Sequence, residues 1–271
     1  MLRHLRDRSL SPAMKASVDP AQSDSTQGDP AICAYTAHYL RRQGGARYPA
    51  EHLVRILMGR HPRLALDQAD YRGAPLLEVG CGDGRNLGLF HDLGFRIHAT
   101  EVSAAICDST HARLQKAGIP ASLDVGTNAR LPYPDASFRY LIAWNSCYYM
   151  EAGSAFADHV MEYARVLTDK GFLILSVPMP TNYIFNDCVA HDDGSTTLTT
   201  DAFGVLQGAR LQRFSDAQAL QQSLEAAFAD FSHGEIRADC FGVQNDHFLL
   251  VCRKYSPTDS PQSQQDHQTR V

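Results

Sequence analysis

Glycines stand at every second position in "LLEVGCGDGRN" (residues 76–86), at Gly80, Gly82 and Gly84, behind a short apolar run and one acid, Glu78. Such a spacing presents bare backbone that a ligand can approach closely. A nicotinamide-type fingerprint, G-x-G-x-x-G, needs glycine at 85, where this chain has Arg85. Glu78 would also repel a pyrophosphate, while it can orient a cationic or amino-bearing ligand. Glu101 follows Gly80 by about 20 positions, the distance at which dinucleotide sites keep the carboxylate that accepts from both ribose hydroxyls. Further on, "TNARLPYPDASF" (127–138) brings Asn128 and the backbone of Ala129 to the end of a third strand, where an amide can read an adenine edge. Each step fits a nucleoside without a phosphate chain.

These residues need elements to hold them. "APLLEVG" and "FRIHATEV" are short apolar strands, and "NLGLFHDLG", ended by Gly94, is the helix between them. "SAAICDSTHARLQKAG" opens on Ser103 as a capping residue and stops at Gly118. "ASLDVG", "SFRYLIAWN" and "GFLILSVP" read as further strands, the last a near-continuous apolar run, and "SAFADHVMEYARVL" as a helix. Strand and helix alternating at this spacing predict an α/β, doubly wound, mainly parallel sheet that binds ligands at the carboxyl ends of its strands. "AICAYTAHYLRRQ" and "AEHLVRILMGR" predict a helical cap over residues 29–70. After Pro180 a long polar stretch suits a lid insertion, 178–213, better than a core element. "SDAQALQQSLEAAFADF" is expected to be a helix, with "SHGEIRAD" and "HFLLVCRKY" as the closing strands.

Residues 1–28 and 256–271 are polar, Pro-containing and poor in apolar groups, so flexible tails are expected around a domain spanning 29–255. A net charge of -5 argues against nucleic acid or anionic membrane as partners. No run approaches the roughly 18 apolar residues of a membrane span. The 7 cysteines are scattered without a CxxC pair or zinc spacing, so no metal is expected, and reduced thiols in a cytoplasmic protein are.

The stretches "LLEVGCGDGRN", "ATEVS", "TNARLPYPDASF" and "YLIAW" together resemble the class I S-adenosylmethionine-dependent methyltransferases over roughly residues 75–178. The resemblance implies a Rossmann-like, seven-stranded sheet with an antiparallel last strand, and S-adenosyl-L-methionine as cofactor. It places Gly80, Cys81, Gly82 and Gly84 around the methionine and ribose parts, Glu101 on the ribose and Val102 against the adenine. The family usually has Asp where this chain has Asn128. "YPAEHLVRIL", "CGDGRNL" and "DCFGVQNDHFLLVC" further resemble a bacterial, small-molecule-type subgroup.

Within that frame, Trp144, Tyr148 and Tyr149 in "AWNSCYYM" can meet a sulfonium through cation–π attraction, with Asn145 beside them. No N/D-P-P-Y/F sequence occurs there, which disfavours base or glutamine-amide methylation. Arg55 or Arg85 can pair with a methionine carboxylate. On the lid His191 has the proton affinity for neutral-pH base work, and His191 with Tyr148 are the catalytic candidates. The expected reaction is in-line displacement of a methyl group onto an O or N atom of a small-molecule acceptor. A methyltransferase acting on protein or RNA, a cofactor-binding protein without turnover, and a nicotinamide reductase are the alternatives. Oligomeric state is not legible.

Overall fold

The computed structural model describes residues 30–41, 47–201 and 204–256. The two expected tails lie outside the described residues, apart from Ser256, as do residues 42–46 of the cap and 202–203 of the lid. In chain order the elements are α1 (Pro30–Arg41), α2 (Glu51–Met58), β1 (Pro75–Val79), α3 (Leu87–Asp92), β2 (Arg96–Glu101), α4 (Ala104–Lys116), β3 (Ala121–Val125), β4 (Phe138–Trp144), α5 (Phe156–Val166) and β5 (Leu167–Pro178). They continue as β6 (Cys188–Ala190), β7 (Ser195–Leu198), β8 (Arg210–Gln212), α6 (Ala217–Gln222), β9 (Phe228–Ile236), β10 (Asp239–Cys240), β11 (Val243–Gln244) and β12 (His247–Lys254).

A 7-stranded sheet runs in the order β3-β2-β1-β4-β5-β12-β9. The first five strands are mutually parallel, and β12 is antiparallel to both β5 and β9. Because β2 and β3 go to one side of β1 and β4 to the other, the order reverses between β1 and β4. A crevice opens at the carboxyl ends of such a strand pair.

Alternation along the strands feeds two cores. Leu77, Val79, Leu141, Ala143, Leu173 and Leu175 face one way, against Phe156, Val160 and Tyr163 of α5. Leu76, Tyr140, Ile142 and Ile174 face the other, against Leu53 and Leu57 of α2 and Leu87 and Phe90 of α3. Strands buried on both faces are apolar at nearly every position, which is why "FLILSV" carries no period-2 signal.

The structure differs from the sequence expectation in three places. The helix expected over 215–231 stops at Gln222, and β9 begins at Phe228; Phe228 is fully buried and pairs with Lys254, so tertiary pairing overrides the helix-forming "LEAAF". Ser103 occupies the N-cap position of α4, but its side chain makes no capping bond. The stretch expected to be a lid insertion folds as a 3-stranded antiparallel sheet, β6-β7-β8, whose Leu198 and Leu211 enter the first core alongside Phe185. Gly94 and Gly118 do end α3 and α4 with positive φ values of 83° and 69°.

Candidate functional site: the crevice between β1 and β4

The glycine loop begins where β1 ends. Gly80 and Gly82 have φ of 69° and 55°, a region that side-chain-bearing residues enter only with strain. Space forbids side chains there as well. A Cβ on Gly80 would stand 2.6 Å from Cβ of Ser146, and one on Gly82 would stand 2.8 Å from the Tyr39 hydroxyl. The N–H groups of Gly80 and Cys81 both donate to Thr100 O at 2.9 and 3.0 Å, which ties the loop to β2.

Glu101, the last residue of β2, is buried. Its Oε2 accepts from Gly82 N at 2.8 Å and from the Tyr35 hydroxyl at 3.3 Å, and its Oε1 accepts from Val102 N at 2.8 Å. Burial raises its proton affinity, and those same bonds oppose the rise. The expected ribose carboxylate is therefore also the brace of the glycine loop. The longest bond, from Tyr35, is the one that a ribose hydroxyl can replace.

The other expected cofactor residues are distributed around this centre. Glu78 is buried; its Oε1 accepts from Asn86 Nδ2 at 2.7 Å, and Asn86 Oδ1 accepts from Ala50 N at 2.9 Å, joining β1 to the start of α2. Burial pushes its carboxyl up to about 8, so it is largely neutral at pH 7. Cys81 turns its thiol into the core, where burial holds it protonated. The Gly84 N–H donates to Cys81 O. Arg85 is exposed and donates from Nε to Tyr48 O at 3.0 Å, while Arg55 pairs on the surface with Glu51. Arg113, which no sequence pattern singled out, reaches the backbone of the loop: its Nη2 donates to Asp83 O and Gly84 O at 2.7 and 3.1 Å.

Asn128 is held in a buried network. Its Nδ2 donates to Ser146 O and Tyr149 O, both at 3.1 Å, and its Oδ1 accepts from the Tyr163 hydroxyl at 2.6 Å. Its backbone N–H donates to Glu151 Oε1 at 2.7 Å, and Oε2 of that carboxylate meets His159 Nε2 at 2.6 Å. Both amide hydrogens of Asn128 are thus spent within the protein. Ala129, half-buried, lines a recess of about 600 Å³ with Glu151 and Arg165 on that flank.

At the end of β4, Trp144 is half-buried and Asn145 is exposed with φ of 56°. Asn145 is pinned to Ser176 of β5, whose hydroxyl accepts from Asn145 N at 2.9 Å and donates to Asn145 Oδ1 at 2.5 Å. Ser146 Oγ donates to Val79 O at 2.5 Å, closing β4 against β1 beside Gly80. Ser146 and Ser176 carried no sequence signal, because a single serine in an apolar stretch has none. Tyr148 stacks on Tyr149 with centroids 4.9 Å apart, and burial raises its phenol well above its ordinary range. His191 lies at the tip of the β6–β7 hairpin, where its Nε2 meets Thr197 Oγ1 at 2.8 Å and its N–H donates to Ser195 O. No bond among the described residues joins His191 to Tyr148 or to the glycine loop. Among the described residues there is no metal-binding cluster and no helix long and apolar enough to cross a membrane.

A twisted sheet with this strand order, a positive-φ glycine loop after β1 and a buried acid after β2 together define a Rossmann-like methyltransferase fold. Residues 76–171 match the family model described as a methyltransferase domain, a family whose cofactor is S-adenosylmethionine. The chain is 32% identical over 149 residues to the probable methyltransferase PMT21 of Arabidopsis thaliana, a match covering 52% of this chain and 22% of that protein. The chain thus spans about a fifth of that curated relative. Among solved structures it is similar to a SAM-dependent methyltransferase of Methanosarcina mazei (16% identity, 68% of this chain and 93% of that one, TM-score 0.51). It is also similar to the [4+2]-cyclase SpnF (18% identity, 79% and 85%, TM-score 0.54). The donor and acceptor chemistry fits the cofactor: a buried carboxylate beside the glycine loop is what ribose hydroxyls would donate to.

Proposed function

We propose that this chain moves a methyl group from S-adenosylmethionine to an O or N atom of a small-molecule acceptor. The observation that carries the reading is the Gly82–Glu101 bond at the carboxyl ends of β1 and β2, which couples the glycine loop to a ribose-competent carboxylate. When bound, the cofactor supplies an electrophilic methyl group on a sulfonium. The protein's own part is alignment and the exclusion of water. Glu101 receives the ribose hydroxyls, Gly80 and Gly82 give room for the methionine chain, and Val102 covers the adenine. Trp144, Asn145, Tyr148 and Tyr149 bound the space that the acceptor enters. Tyr148 stays protonated and acts as a hydrogen-bond donor rather than a base, and His191 acts only if the lid hairpin swings inward. An amine acceptor, attacking as the neutral base, needs neither.

The domain is taken to run over 29–255, with the cap at 29–70 and the lid at 178–213 supplying acceptor choice. The net charge of -5 supports a small acceptor over RNA or DNA. The 7 scattered cysteines, without a CxxC pair, support a reducing, cytoplasmic setting. The bacterial, small-molecule subgroup belongs to the same proposal.

Calorimetric titration with S-adenosylhomocysteine, and with NADPH in parallel, tests it. Micromolar binding of the first alone, followed by acceptor-dependent release of S-adenosylhomocysteine in a small-molecule screen, is the expected result. Binding of NADPH alone, or of neither, would overturn it.

A further inference from the structure

Beside Asp83 of the glycine loop, α1 and α4 line a recess of about 450 Å³. Its floor is one stripe of α4. Ile106, Ser109, Arg113 and Lys116 follow one another at the spacings that align side chains along a helix face. Tyr39 and Leu40 of α1 form the opposite, apolar wall.

Charge in this recess is unbalanced. Arg47 pairs with Asp83 at 2.6 Å, and that pair is nearly neutral as a unit. Arg113 spends only Nη2 on the carbonyls of Asp83 and Gly84, and its Nε is buried with no partner among the described residues. Lys116 is exposed and makes no ion pair among the described residues. The carboxyl end of α4 contributes about half a negative charge. That offsets only part of the two cations, in a chain whose overall charge is -5.

We propose that this recess is a second ligand site, and that it takes a planar organic anion. The carboxylate or phosphate end would pair with Arg113 and Lys116, Ser109 would donate to it, and the ring would lie against Tyr39. Arg and Lys side by side suit an oxyanion, the guanidinium by directed N–H groups and the ammonium as a point charge. A fully hydrated inorganic anion would leave the Tyr39–Leu40 wall unused. Because Arg113 also holds the Asp83 and Gly84 carbonyls, an occupant would pull on the guanidinium that braces the cofactor loop. It would thereby shift cofactor affinity without entering the cofactor pocket.

Calorimetry on the full chain at low salt tests the site, with benzoate, phenyl phosphate and inorganic phosphate as probes. One saturable site for benzoate, for phenyl phosphate, or for both is expected, and which of them binds distinguishes a carboxylate ligand from a phosphate one. Lys116→Glu should weaken that binding by about tenfold or more, the scale of one charge-assisted contact, while S-adenosylhomocysteine affinity stays as in the parent. Arg113→Gln should abolish it. Absence of saturable binding by either aromatic probe would overturn the proposal. So would unchanged binding in Lys116→Glu, or inorganic phosphate binding as tightly as phenyl phosphate.

Discussion

The Tyr35 hydroxyl donates to Oε2 of Glu101 at 3.3 Å, on the same oxygen that accepts from Gly82 N at 2.8 Å. The cap helix α1 thus reaches the carboxylate that a ribose would use, and Tyr39 on the same helix lies over Gly82. On the proposed function, a ribose hydroxyl would compete with Tyr35 for this oxygen.

Removing the competing phenol should therefore help binding. Tyr35→Phe is expected to tighten S-adenosylhomocysteine by about 2- to 10-fold, the span of one net hydrogen bond. Calorimetry decides it; weaker binding would mean that the hydroxyl contacts the cofactor instead. Glu101→Gln should act in the opposite sense, and it should also lower the melting temperature, because Glu101 holds two backbone N–H groups of the fold.

Gly80 allows a sharper test of the loop. Gly80→Ala places a methyl 2.6 Å from Ser146 Cβ at a φ of 69°, so two penalties add, of about 1–3 kcal/mol each. Gly80→Ala with Ser146→Gly relieves the clash and keeps the backbone strain. Because Ser146→Gly by itself loses the bond to Val79 O, the double variant is compared with the sum of the two single losses in a denaturant titration: it should lose less than that sum, and strict additivity would show that φ alone sets the cost of Gly80→Ala.

Much of this centre could be read from residue order alone. Glycines at alternate positions after an apolar strand, and an acid at the end of the next strand, are local patterns with one structural meaning. What escaped is non-local. The amide of Asn128 is consumed by carbonyls 18 and 21 residues away, and Arg113 reaches the loop across 29 and 30 residues. The lid strands escaped because "STTLTT" alternates threonine with only one leucine, and its β propensity is realised by packing against the first core. Phe228 shows the reverse error: a helix-forming segment whose last turn is captured by a neighbouring strand.

Glu78 makes stability depend on pH. Its folded carboxyl titrates at about 8 against an ordinary value of 4.5, so between those values the unfolded chain has lost a proton that the folded chain keeps. Stability should then fall as pH rises from about 5 toward 8, and Glu78→Gln should flatten that slope. A difference on the order of 4 kcal/mol at pH 8 is expected, or roughly 8–16 °C in melting temperature for a domain of this size. Parallel slopes in parent and variant would place the carboxyl in its normal range.

Asn128→Asp would restore the residue usual in related enzymes, and here it should be harmful. Both hydrogens on Asn128 Nδ2 go to carbonyls, Ser146 O and Tyr149 O, so a carboxylate at that position would set oxygen against two acceptors at 3.1 Å. Only the Tyr163 hydroxyl remains able to donate to it. The loss should be about 1–3 kcal/mol at pH 7.5, seen as a lower denaturant midpoint, with a matching loss of cofactor affinity because both carbonyls belong to the chain that closes β4 against β1. Acidification should restore part of the stability, because a protonated Asp regains one donor. An Asp variant as stable as the parent at pH 7.5 would mean that the 145–151 segment repacks readily, and that Asn128 is free to face the adenine instead.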